Sequence, residues 1–81
     1  MATHVQISSP EQLGEVVKAA RKWQRLRQYE VGTASHSFIL DLEAGKPTAQ
    51  IGKVLEALRQ LGIRMQVELP AEMPMPKLGD R

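Results

Sequence analysis

The 81-residue chain has no cysteine, so neither a disulfide nor a thiolate metal site can brace it. A domain this small buries only about 60% of its unfolded surface, and a partner subunit is the expected remedy. No apolar run exceeds a few residues, which leaves no membrane span and no secretory signal and points to the bacterial cytoplasm. There is no glycine-rich nucleotide loop and no metal-ligand cluster, and the histidines are His4 and His36 alone. Neither a cofactor nor catalysis is expected. His36 between Ser35 and Ser37 suggests a hydrolytic group, but adjacent helical residues point in different directions and no carboxylate is spaced to orient the ring.

The charge that is present is unevenly placed. Lys18, Arg21, Lys22, Arg25 and Arg27 fall within ten residues that hold no acid, a local +5 against −3 for the remainder. Such a run is either the solvated face of a helix or the footprint of a polyanion.

Residues 4–8 alternate, with Val5 and Ile7 on one side, the period of a short strand. Ser9-Pro10-Glu11 opens a helix, with Ser9 as N-cap and Pro10 where a missing N–H is harmless. Leu13, Val16, Val17 and Ala20 form its apolar stripe, and it should end near Gln24 or Arg25. Arg27 to Val31 leaves room for a short second helix before a Gly32-Thr33 turn. Ser35 caps a third helix whose buried side is Phe38, Ile39 and Leu42, closed by Gly45-Lys46-Pro47. Thr48 is the next N-cap, and a fourth helix carries Ile51, Val54, Leu55 and Leu58 on one face up to Leu61-Gly62. Residues 63–69 alternate without a fault, apolar at Ile63, Met65, Val67 and Leu69, and so read as a strand that needs a partner: residues 4–8, its copy in a second subunit, or both. Residues 70–81 hold Pro70, Pro74 and Pro76 and read as a flexible Pro/Met-rich tail behind a domain spanning 1–69.

A short helix, a glycine-containing turn and a helix with a polar leading end outline a helix-turn-helix. Ser35, His36 and Ser37 then stand where side chains reach base edges, although the same residues would serve equally as a cap and a solvated helix end.

The segment from Ala19 to Glu30, AARKWQRLRQYE, with the stretch Phe38-Ile39-Leu40-Asp41-Leu42-Glu43-Ala44-Gly45-Lys46-Pro47-Thr48 and the helix from Ile51 to Leu61, closely resembles the Xre-type helix-turn-helix antitoxins of the HipB kind. The resemblance implies a mainly α, lambda-repressor-like domain of four to five short helices. A small C-terminal β-strand would pair across a homodimer through Ile63, Met65, Val67 and Leu69. It implies binding to double-stranded DNA at a palindromic operator, in the cytoplasm at the nucleoid, and neutralisation of a HipA-like kinase toxin. Position by position, Ser35, His36 and Ser37 match the base-reading end of the recognition helix. Gln28, Lys46 and Thr48 fall where phosphates are contacted, Gln28 matching a glutamine that braces one, and the cation of Arg27 is expected to join them. Phe38, Ile39, Leu42, Val54, Leu55 and Leu58 are read as core, and Asp41 and Glu43 as structural or surface acids.

The chain departs from the pattern in three ways. Between Gln28 and Phe38 it is about three residues short, close to one helical turn. Arg25 replaces the glycine that ends the first helix, and Arg27 replaces the Ser/Thr cap of the second. The first two helices are therefore expected to run closer to continuous, tilting the recognition helix. Three functions remain: an autorepressing antitoxin, a toxin-binding module without operator binding, and a stand-alone Xre-type repressor.

Overall fold

The computed structural model describes residues 3–31 and 35–79. Ser9 opens α1 (Pro10–Trp23) with an extended backbone, its side chain accepting the Gln12 N–H at 3.1 Å while Gln12 Oε1 takes the Ser8 N–H. That reciprocal cap is what the Ser-Pro entry encodes. A 3-10 helix (Gln28–Glu30), α2 (His36–Glu43) and α3 (Ile51–Gln60) follow. The helical count is thus three α-helices and one 3-10 turn among the described residues, with the second helix reduced to three residues. The Gly32-Thr33 turn lies outside the described residues.

All three α-helices end by the same device. The N–H two residues past the cap bonds back to the carbonyl of the third-last helical residue, and the N–H between them to the second-last: Leu26 to Arg21 and Arg25 to Lys22, Lys46 to Asp41 and Gly45 to Leu42, Ile63 to Leu58 and Gly62 to Arg59. This closure requires a left-handed residue at its centre. Gly45 and Gly62 supply it at φ 84° and 76°, whereas after α1 it is Arg25, at φ 61°. The expectation that α1 and the second helix run closer to continuous is therefore corrected. The chain turns sharply at Arg25 because Leu26 must fold back onto the core. A side chain held left-handed costs about 1–2 kcal/mol. Arg25→Gly is expected to stabilise the domain by about 1 kcal/mol, read as a higher urea midpoint at unchanged slope.

Val17, Val31, Ile39, Leu42, Val54, Ala57, Leu58 and Leu61 form the core, with Leu13, Leu26, Phe38 and Ile63 packed against it. The face of α3 is rotated from the expected one: Val54, Ala57 and Leu58 are buried, and Ile51 and Leu55 are exposed. Nor is Thr48 the cap of α3. It sits in a turn closed by the Ala49 N–H on the Lys46 carbonyl, and the N-cap is Gln50, whose side chain makes no capping bond.

No strand forms among the described residues. Residues 3–8 and 63–70 lack regular structure and are largely exposed, with Val67 at 76%. The alternation at 63–69 specifies two faces but not a partner, and one chain supplies no neighbouring ladder. No described helix is long and apolar enough to cross a membrane.

Candidate nucleic-acid interface

α2 lies across α1, its leading end beside the 3-10 helix and its trailing end beside Gly14. Ser35 caps it by accepting the Phe38 N–H at 3.1 Å, and the Ser37 hydroxyl lies 3.2 Å from that of Ser35. Ser35, His36 and Ser37 are all exposed, so the capping geometry and an outward-facing polar end coexist in the same three residues.

Behind them runs a polar relay. Arg21, 8% exposed at the end of α1, grips Glu43 at the end of α2 through two hydrogen bonds, Nε to Oε2 at 2.5 Å and Nη2 to Oε1 at 3.0 Å, and donates a third to the Leu26 carbonyl. The Glu43 side chain is 4% exposed. Burial alone pushes its carboxyl up, but the hydrogen bonds from Arg21 and Gln28 outweigh it and hold the group below its ordinary 4.5. The Arg21 guanidinium is raised by the same hydrogen bond. Arg21 thus does not belong to the solvated basic run in which its sequence position puts it.

The Gln28 amide extends this pair to the surface. Its Nε2 donates to Glu43 Oε1 at 3.1 Å, and its Oε1 meets His36 Nε2 at 2.7 Å. Because the carboxylate can only accept, it fixes which end of the amide faces it, and the carbonyl is left toward the histidine. In the neutral ring the proton then lies on Nε2, and Nδ1 is the free acceptor. Gln28, assigned to a phosphate from the resemblance, is also the link that orients His36.

Arg27 is exposed, and no ion pair holds it among the described residues; its backbone N–H goes to the Glu30 carboxylate at 2.7 Å. Lys46 lies 3.4 Å from Asp41, with both side chains about half exposed, a loose pair that leaves the ammonium available. Around Lys46 and Thr48 lies a shallow hollow that Phe38, Gln50 and Lys53 also line. Lys53 Nζ stands 5.9 Å from the centre of the Phe38 ring. Its place there was missed in the sequence, where Lys53 reads only as a polar position in the first turn of the last helix. The structure thus assembles two groups: exposed His36 and Ser37 with half-buried Gln28 at the leading end of α2, and exposed Lys46, Thr48 and Lys53 beside the uncapped start of α3. Ile63, Met65, Val67 and Leu69 lie apart from both, on the extended C-terminal segment.

No family model matches the chain. It is 49% identical over 69 residues to the HTH-type transcriptional regulator y4mF of Sinorhizobium fredii (strain NBRC 101917 / NGR234), a match covering 82% of this chain and 91% of that protein. Among solved structures, a chain of a HipB-O4 20mer complex superposes with a TM-score of 0.74 at 21% identity, over 85% of this chain and all of that one. A chain of the HipA-HipB-O2-O3 complex superposes with a TM-score of 0.73, also at 21% identity, over 79% and 94%.

Proposed function

The chain belongs to the HTH-type transcriptional regulators, and from that premise we propose that it is the antitoxin of a type II toxin-antitoxin system, repressing its own operon and restraining a HipA-like kinase toxin. The observation that carries the operator half is the relay from Arg21 and Glu43 through Gln28 to His36. A buried ion pair holds an exposed imidazole in one orientation at the leading end of a helix, which is what base readout needs. Ser35, His36 and Ser37 meet base edges, while Arg27, Gln28, Lys46 and Thr48 meet phosphates. The start of α3 aids them, since unbonded backbone N–H groups beside two lysines favour an anion.

Superposition on the HipB-O4 chain supports the pose, and the HipA-containing neighbour supports a HipA-like partner. The protein acts as a homodimer. The segment that carries Ile63, Met65, Val67 and Leu69 finds its ladder in the second copy, which sets the recognition helices about 34 Å apart on a palindrome. Residues 70–81, a tail behind the 1–69 domain, serve the toxin contact or proteolytic turnover.

The test is a titration against a duplex from upstream of the protein's own gene and a scrambled duplex, at 50 and 200 mM salt. With about four Lys or Arg contacts per dimer, affinity for the upstream duplex should fall about a hundredfold between the two salts. His36→Ala should lose about tenfold on the upstream duplex and little on the scrambled one. Equal losses on both would remove His36 from readout. A second reading is favoured by the contraction of the second helix to Gln28–Glu30: a module that binds the toxin but not the operator. Weak, unselective binding to both duplexes would select it.

A further inference from the structure

Turning about 100° per residue, α2 splits into two faces. Ile39 and Leu42 are buried, and the Glu43 side chain is held by Arg21. The outward side holds Ser37, Leu40 and Ala44, all exposed, together with Asp41, whose half-exposed carboxylate is loosely paired with Lys46. Leu40 is the large apolar side chain on that side, 51% exposed, with the short Ser37 and Ala44 one turn before and after it.

We propose that Leu40 is a specificity residue that reads the 5-methyl group of a thymine in the major groove, an inference that rests on the operator-binding role of α2. Leucine has no donor or acceptor. Against guanine, cytosine or adenine edges it would strip water from a polar group and return nothing, whereas thymine alone presents an apolar group in the major groove. One residue therefore both favours thymine and disfavours the other three bases at its step. The small neighbours matter to the same end, since Ser37 and Ala44 let the helix approach until the isobutyl group touches the groove floor.

The experiment is a scan of the upstream duplex in which each thymine is replaced in turn by uracil, which removes the methyl and keeps every hydrogen-bonding group. Binding is measured with the full-length protein and with Leu40→Ala. Wild type should lose about fourfold at one thymine step, the value of one buried methyl, and Leu40→Ala should show no loss there while keeping the wild-type circular dichroism. A scan that is flat for the wild type, or a uracil penalty of equal size in Leu40→Ala, overturns the proposal. Absence of selective binding by the wild type overturns the operator role itself, and the leucine's with it; those failures are distinguished by the unsubstituted duplex.

Discussion

Glu43→Ala is expected to lower the unfolding free energy by about 3–5 kcal/mol, because it leaves the Arg21 guanidinium buried without its counter-charge. A domain of this size has a total stability of about 4–12 kcal/mol, so the substitution removes from about a quarter to all of it at 25 °C. Replacing both partners by apolar residues, as in Arg21→Met with Glu43→Leu, should recover most of the loss, since no charge is then stranded. The pair also writes a pH dependence. The Glu43 carboxyl titrates below its ordinary 4.5 in the folded protein, so its contribution is fully present above that value and fades as pH falls through the lower folded-state value. Urea unfolding followed by circular dichroism at fixed protein concentration, at pH 7 and in steps below pH 4.5, checks both statements. A single-variant cost under about 1 kcal/mol would mean that water reaches the pair in solution. The double variant should also lose operator discrimination while folded, because Gln28 no longer has a carboxylate to fix its amide and His36 loses its orientation.

What the sequence made legible is local. Ser9-Pro10, Ser35 and the glycines at 45 and 62 mark helix ends because capping is decided within a few residues, and each stands where its chemistry predicts. Arg25 takes the glycine's left-handed place without the glycine's freedom, and nothing local announces it; the requirement comes from Leu26 returning to the core. The Arg21–Glu43 pair spans 22 positions, and in a run of five cations one buried member looks like the other four. Periodicity counted Ile51 and Leu55 as buried because it finds an apolar arc on α3 without saying how much of it a neighbour covers. The structure covers the half around Val54 and Leu58. At the interface, the polar trio at 35–37 was readable as a cap, whereas the Gln28–His36 contact that gives it orientation crosses eight positions and depends on how α2 lies against the 3-10 helix.

How α2 lies is set by Gly14, and Gly14→Ala is expected to destabilise the protein by about 3 kcal/mol, the upper end for overpacking. In an ordinary helix interior the sign would be opposite, since alanine gains about 0.5–1 kcal/mol over glycine there. Here a methyl at position 14 would stand 2.6 Å from the carbonyl oxygens of both Leu42 and Glu43 and 2.9 Å from the Glu43 carbonyl carbon. These are backbone atoms of the last turn of α2, which no rotamer change can move aside. Relief comes only by shifting that turn away from α1, and the shift pulls Glu43 from Arg21 at one end and rocks His36 and Leu40 at the other. Gly14→Ala should therefore also weaken binding to the upstream duplex under conditions where it is still folded, which a surface substitution of equal size such as Gly79→Ala should not do, because nothing lies within 4 Å of a methyl there. Denaturant melts of the two variants beside the wild type decide the matter. If Gly14→Ala is as stable as Gly79→Ala, the α1–α2 crossing is looser than this geometry, and the close approach of the two helices does not hold α2 in place.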